Sequence, residues 1–359
     1  LTGLYVHIPF CKRKCLYCDF YSLPNCENLI GDYIDAVLTE AEKYEHLRFD
    51  TVFFGGGTPS LLGSDNFSRL YEGLKNIFSL NPIETTVEMN PESADKNFLL
   101  SLKNAGINRI SIGVQSLNDE ELKACGRIHD RRTALACLEN ALNTGFKSVS
   151  ADVMIGLPGQ NWESLSETMR ILINLGLNHI SAYGLQLEDD TPMGMNPPPT
   201  IPDDDSQTEL FCKTKSKLEE AGFVHYEISN FAKTGHECLH NKIYWHCEDY
   251  LGLGPNASSH LEGVRFKNKP DLKKYIGNPT GQVLFEECLD QSLKLREEAM
   301  LRLRLLKEGI EYDERFQSLK QLFDNMVKDG GLEFDGKRYR IHPSKIYVSN
   351  PIFAKVLGL

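Results

Sequence analysis

No apolar run in this sequence is long enough to cross a bilayer. The start lacks the basic, apolar and small-residue sections of a secretory signal, and residues 1–10 read straight into a strand. The chain opens on Leu1 rather than Met, so a trimmed targeting segment stays open; the expected compartment is the cytoplasm. A basic excess is missing too. The net charge of −11 over 359 residues argues against a general phosphate-backbone binder, and no nucleic-acid partner is expected. The spaced cysteine pairs of a zinc motif are absent, as is a small disulfide framework. Of ten cysteines, a group crowds the N-terminus and the others are scattered, as in a reduced intracellular chain. What is left is an ordinary globular composition, 41% hydrophobic and 25% charged. Its length suggests a large unit with a smaller one.

Strand patterns at 4–8, 51–54, 86–89, 109–114, 149–154 and 179–185 alternate with amphipathic stretches, among them 33–44, 67–78, 131–142 and 163–175. Strand-then-helix units about 30 residues apart imply a parallel sheet with right-handed crossovers. They are too few for a closed eight-unit barrel, so the expected fold class is α/β, a partial (β/α)6 barrel. Chemistry then belongs at the strand C-terminal ends. Gly55–Thr58, Asn90, Gln115 and Asp152 fall there. The stretch MGMNPPPTIPDDD cannot continue a helix or a central strand, because proline fixes φ and removes a donor. A linker is placed there, between a barrel domain of residues 1–200 and a smaller α+β domain of residues 201–359. The second part reads as a helix at 206–221, a loop-rich stretch at 226–260, helices at 295–307 and 312–328, and a ribbon at 332–341 turning at Asp335-Gly336. That end looks winged-helix-like, a fold that by itself carries no nucleic-acid claim.

The segment YVHIPFCKRKCLYCDFYS places Cys11, Cys15 and Cys18 at C-x3-C-x2-C spacing directly after the first strand. Thiolates suit iron–sulfur clusters or zinc. A closed structural site normally has four ligands, so three in one loop leave a metal position free. In a cubane that position is an iron which a substrate or cofactor can chelate. Zinc is the alternative, with Asp19, His7 or a distant cysteine as fourth ligand. Pro9, Phe10, Tyr17, Phe20 and Tyr21 surround the loop with the apolar bulk that protects a cluster. Lys12, Arg13 and Lys14 form either a solvated tip or a dock for an acidic electron donor.

After the second strand, FFGGGTPS lets backbone approach a ligand closely, or simply makes a tight turn. It is neither a P-loop nor G-x-G-x-x-G. Glu88, Gln115 and Asp152 sit at the ends of or inside apolar strands, with Arg127 twelve residues after Gln115. Buried charges need partners. A ribose diol, an amino group or an arginine would serve, and an Arg127–Asp152 ion pair is the structural alternative.

These residues resemble the oxygen-independent coproporphyrinogen III dehydrogenase family of radical S-adenosylmethionine (SAM) proteins, nearly end to end. The likeness rests on YVHIPFCKRKC, GGGTPS, EMNPES, GVQS, GRIHD, DVMIGLPGQ and EISNFAKTGHECLHNKIYW. Within that family the chain looks most like the heme-chaperone branch. The decarboxylating enzymes carry a further cysteine where this chain has Phe20, and the chaperones carry H-N-x-x-Y-W, here His240 to Trp245. The resemblance implies a [4Fe–4S] cluster on Cys11, Cys15 and Cys18, and SAM contacts from Tyr5, Gly56 and Glu88. Tyr17, Gly57, Thr58, Gln115, Arg127 and Asp152 match positions that bind a second SAM in the decarboxylating relatives. GLGPNASSH departs from the G-x-G-A-H run of the chaperones.

His236, Cys238 and His240 alternate, so on a strand they would share one face. His246, Cys247 and His260 follow. Composition alone permits zinc. The motif implies heme, with His240 as axial ligand or attachment point and Tyr244, Trp245 and Tyr250 as flat walls. Cys125, Cys137, Cys212 and Cys288 read as small core residues. The leading expectation is a heme-binding and transfer protein that passes heme to an acceptor apo-hemoprotein. Its expected cofactors are a [4Fe–4S] cluster, SAM and heme. An electron donor such as a flavodoxin or ferredoxin and a homodimer are both left open. The rival is an enzyme that decarboxylates coproporphyrinogen III with a 5′-deoxyadenosyl radical. A third reading is radical methylation or degradation of heme.

Overall fold

Runs rich in β-branched and apolar residues become strands that are buried on both faces, as a helix-covered parallel sheet requires. The computed structural model describes residues 1–359, apart from the side chain of Glu286. Strands β1 (Gly3–Ile8), β2 (Thr51–Gly56), β3 (Glu84–Met89), β4 (Arg109–Gln115), β5 (Ser148–Ile155) and β6 (His179–Gly184) lie side by side in chain order, each parallel to the next. Helices α1 (Ile30–Glu42), α2 (Gly63–Phe78), α3 (Lys96–Ala105), α4 (Arg131–Thr144) and α5 (Trp162–Asn174) cover the outside. β1 and β6 do not pair with each other, so the barrel is partial, as expected. The expected strand list omitted no barrel strand. It did omit α3, whose first turn is held by Asp95 accepting the Phe98 N–H at 2.8 Å.

The boundary placed near residue 200 falls just before α6 (Asp204–Glu220), which packs on α5. Strands from beyond it extend the barrel sheet on both edges. β7 (Val224–Glu227) and β8 (Asn230–Ala232) form an antiparallel hairpin on β6. After α7 (Leu239–Trp245), β9 (Tyr250–Leu253) runs parallel to β1, and β10 (Ser258–Leu261), β11 (Val264–Asn268) and β12 (Val283–Cys288) continue outward. The stretch expected to be loop-rich thus holds three strands and a helix. These segments are three to seven residues long and pair with the edges of a sheet already built elsewhere.

α8 (Gln291–Leu303) leads to a three-stranded sheet of β13 (Ile310–Glu311), β14 (Leu332–Phe334) and β15 (Arg338–Ile341), with α9 (Lys320–Lys328) and α10 (Asn350–Leu357). This is the helix-and-ribbon end read from the sequence, except that the helix expected at 312–328 begins as a 3-10 turn, Glu314–Leu319. In the proline-rich stretch, Pro192–Met195 makes one helical turn. It seats Met193 with Cys125, Met154, Leu157 and Leu185 in a small apolar cluster under Leu16 and Tyr17 of the cysteine loop. Cys125 and Cys137 are buried as expected, but Cys212 and Cys288 are exposed, on the outer face of α6 and at the end of edge strand β12.

Candidate functional site

β1 delivers the chain into the cysteine loop, and a two-residue parallel ladder between Phe10–Cys11 and Leu23–Pro24 closes it. The loop is also tied to its surroundings through Leu16, whose N–H meets the Cys125 carbonyl at 3.1 Å and whose carbonyl accepts the Met193 N–H at 2.9 Å. Cys11 is buried, Cys15 and Cys18 are half-buried, and none is in a disulfide. Two sulfurs have polar neighbours: Thr58 Oγ1 lies 3.5 Å from Cys11 Sγ, and Arg127 Nη1 donates to Cys15 Sγ at 3.5 Å. Such donors stabilise thiolate character and tune a cluster's ligands. Burial pushes the Cys18 thiol up to about 11, and Cys15 and Cys11 add to the shift. Holding Cys18 as a thiolate therefore needs a positive centre beside it, and the three-thiol donor set fits an iron–sulfur cluster. Among the described residues no three His, Cys, Asp or Glu side chains close round a single ion. His7, a candidate fourth zinc ligand, has both ring nitrogens engaged: Nε2–H donates to the Tyr21 carbonyl at 2.8 Å, and Nδ1 accepts from the Tyr5 hydroxyl at 2.9 Å.

The glycine run packs under this loop. Gly56 has φ +108°, and a Cβ there would lie 2.7 Å from the His7 ring. Gly57 donates to the Ile8 carbonyl at 2.7 Å, and its Cβ would stand 2.5 Å from the Phe10 carbonyl oxygen. Backbone cannot yield as a side-chain tip can. Gly57→Ala is therefore expected to cost about 2–3 kcal/mol in urea unfolding and to displace the Phe10–Cys11 backbone. Gly31→Ala, in α1 with nothing within 4 Å, should be neutral or slightly stabilising. Equal losses in the two variants would contradict the packing argument.

Beside the loop, at the C-terminal ends of the strands, lies a cavity of about 450 Å³. Tyr17, Cys18, Phe20, Glu88 and Asp152 line it. Glu88 accepts the Gly56 N–H at 3.3 Å; burial, with the Asp152 charge beside it, pushes its pKa up to about 8. Asp152 accepts from Ser111 Oγ at 3.0 Å and from Ser181, and burial raises its pKa as well. Gln115 carries φ +62°, unusual for a side-chain-bearing residue, and takes the Tyr183 hydroxyl at 2.9 Å. That strained strand end, next to a register shift in β4, is the kind of outlier found at binding sites.

Tyr5, Gly56, Gly57, Thr58, Gln115 and Arg127 are not on the cavity wall, although Gly56 bonds to Glu88 and Gln115 to Tyr183, which are. Arg127 does not pair with Asp152. It donates to Asn90 Oδ1 at 2.8 Å, to the Gly113 carbonyl and to Cys15, and Asn90 in turn donates to Thr58 Oγ1 at 2.9 Å. Arg127 and Thr58 thus join the polar strand ends to the cysteines. Arg109, Ser111, Ser181 and Tyr183 also line the cavity and were not singled out from the sequence; Asn241, a member of the H-N-x-x-Y-W run, lines it too. An arginine opening the apolar run RISIGVQ was the available signal for the first of them.

The histidine–cysteine cluster is not a strand face. Cys238 is the N-cap of α7 and His240 lies inside that helix. The Glu84 carboxylate, from the start of β3, accepts the N–H groups of Leu239 at 3.1 Å and His240 at 3.0 Å, as a helix N-terminus favours. His240 is fully buried and stacks on Phe53 at 5.1 Å between centroids. Its Nδ1 meets Thr51 Oγ1 at 2.7 Å and its Nε2 meets the Tyr244 hydroxyl at 2.8 Å. Burial lowers its pKa to about 3, so the ring is neutral. Tyr244 packs edge-on to Tyr250, and Trp245 lies under the Arg304 guanidinium. His246 pairs with Glu308 at 2.7 Å. His240, Tyr244, Trp245 and Tyr250 are not part of the cavity wall; from α7, Asn241 reaches it.

A family model described as the Radical SAM superfamily matches residues 5–172. The heme chaperone HemW of Bacillus subtilis is 33% identical over 100% of this chain and 100% of its own length. That of Lactococcus lactis is 32% identical over 99% of this chain and 97% of its own. That of Escherichia coli is 39% identical over 71% and 69%. Among solved structures, the coproporphyrinogen III oxidase HemN of Escherichia coli, a radical SAM enzyme, superposes with a TM-score of 0.86, covering 99% of this chain and 89% of that one. At 22% identity that likeness carries the fold alone. No helix is long and apolar enough to cross a membrane. With full-length relatives above 30% identity and a cysteine loop fitted to an iron–sulfur cluster, the chain belongs to the HemW family of the radical SAM superfamily.

Proposed function

We propose that this chain is a heme chaperone, which holds heme and passes it to an apo-hemoprotein such as a respiratory heme enzyme. The observation that carries this reading is Phe20. It is 64% exposed on the wall of the cavity beside Cys18, where the decarboxylating branch is expected to place a cysteine. A phenyl ring there offers apolar surface to a macrocycle and no thiol for chemistry. In this reading Cys11, Cys15 and Cys18 hold a [4Fe–4S] cluster, and Tyr5, Gly56 and Glu88 hold SAM. Tyr17, Gly57, Thr58, Gln115, Arg127 and Asp152 form the matching place for a second SAM. When bound, cluster and SAM supply one-electron chemistry at the open iron. Exposed Lys12, Arg13 and Lys14 at the loop tip suit an acidic electron donor such as a flavodoxin or ferredoxin.

His240 is the axial donor in this proposal, and its surroundings say what that requires. If Nδ1–H donates to Thr51, the tautomer leaves the Nε2 lone pair as the ligand, the usual arrangement behind a metal-bound imidazole. Tyr244 holds that lone pair, so Tyr244 must swing away before iron can bind. Tyr244→Phe is accordingly expected to tighten heme binding severalfold, while costing about 1 kcal/mol of stability for the lost hydrogen bond. His240→Ala should abolish the axial signature in the heme absorption spectrum. Unchanged heme binding in both variants would mean that His240 only braces α7 against β2. The overall reading is tested by titrating heme, beside anaerobic incubation with coproporphyrinogen III, SAM and reductant. One heme per chain and no vinyl product are expected; conversion to the divinyl product without heme binding overturns the proposal for the decarboxylase.

A further inference from the structure

A second cleft, of about 610 Å³, lies between the end of β6, α6 and the start of α10. It shares Tyr183, Gln186 and Ser229 with the cysteine-side cavity, so the two spaces meet along one wall. Its size is within the range of small-molecule pockets. Arg304, the C-cap residue of α8, lines this cleft. Its guanidinium lies 4.4 Å from the centroid of Trp245 and 5.2 Å from that of Phe353. Its Nε is buried with no partner, and among the described residues the group makes neither a side-chain hydrogen bond nor an ion pair. Other arginines of the C-terminal half are paired: Arg265 with Glu287 and Glu297, Arg338 with Glu311. Burial disfavours the Arg304 charge, and the field of Glu227 offsets part of this. The Glu227 carboxylate is itself taken by the Ser229 N–H at 3.1 Å and by Asn230 Nδ2.

A guanidinium carries five donors and no acceptor, and leaving its buried Nε–H without a partner is costly. The aromatic faces hold the cation in place without using its in-plane donors. A planar fork presented this way matches a carboxylate. We propose that Arg304 receives a propionate carboxylate of the tetrapyrrole carried by this chain, the acid side chain entering the second cleft across the wall it shares with the cavity that Phe20 lines. This rests on the heme reading above and adds to it the residue that recognises the acid side chains. It also gives Trp245, the last residue of the H-N-x-x-Y-W run, a role as the platform under that cation.

The test compares heme with heme dimethyl ester, whose propionates are neutral, by absorbance titration of the full-length protein. Wild type should bind the ester at least about tenfold more weakly than heme, the factor expected for a charge-assisted contact. Arg304→Gln should bring heme down to the ester's affinity and leave the ester unaffected, while Arg304→Lys should retain part of the preference. Equal binding of heme and ester by the wild type overturns the Arg304 proposal and leaves the heme reading standing. Binding of neither removes both. A preference that survives in Arg304→Gln also overturns it, and means that another donor takes the propionates. The wild-type comparison needs no variant, so a poorly folding substitution does not shield the idea.

Discussion

Reconstituted protein carrying Cys15→Ala is expected to hold no [4Fe–4S] cluster, against about four irons per chain in the wild type. The loop supplies three thiolates, and a cubane with one iron already open to a cofactor cannot lose a second anchor. Cys15 is also the thiol that Arg127 contacts, through Nη1 at 3.5 Å. The arginine keeps Asn90 and the Gly113 carbonyl when the sulfur is gone, so the barrel should stay folded and the loss should be specific to iron and sulfide. Cys288→Ser, at an exposed cysteine on the far edge strand, is the control and should retain full iron. Iron and sulfide are measured after anaerobic reconstitution, with circular dichroism for the fold. Wild-type iron in Cys15→Ala, or stoichiometric zinc without sulfide in the unsubstituted protein, would defeat the assignment.

The parts that were legible in the sequence are those fixed by local chemistry or by burial on two sides. The cysteine spacing is contained within eight residues, and the six barrel strands announce themselves because both faces are covered by protein. The parts that were misread depend on distant partners. His236, Cys238 and His240 alternate as strand residues do, yet His236 lies before, Cys238 caps and His240 lies within a helix whose first N–H groups are taken by Glu84, 155 residues from Leu239. No feature between residues 226 and 260 reports that cap, or the open edges of β1 and β6 on which its short strands pair. Arg109 escaped notice for a related reason. At the head of an apolar strand it reads as a solvent-facing end, but the C-terminal segments cover it and leave it 3% exposed. Glu88 and Asp152 were legible as buried polar positions because a charge inside an apolar strand asks for a partner wherever the chain folds.

Glu88 is expected to make the apoprotein less stable as pH rises and SAM binding tighter over the same range. Its folded pKa of about 8 lies above the ordinary value of 4.5, because burial and the neighbouring Asp152 charge disfavour the carboxylate. Between these two values the folded chain holds a proton that the unfolded chain has released. Stability from this group is therefore fully present below about pH 4.5 and is lost progressively up to about pH 8, by roughly 5 kcal/mol if the shift acts alone. Glu88→Gln cannot ionise, and its amide oxygen can still accept the Gly56 N–H. The variant should match wild type in urea unfolding near pH 5, exceed it near pH 9, and show a flatter profile between. SAM is cationic and favours the ionised carboxylate, so wild-type affinity should rise between about pH 6 and 8 as the proton becomes easier to release. Glu88→Gln should bind SAM more weakly by about 1.5–3 kcal/mol, without that rise. The two readouts separate the roles: a flattened stability profile with unchanged SAM binding would leave Glu88 as a buried acid beside the glycine turn and take it out of the cofactor site.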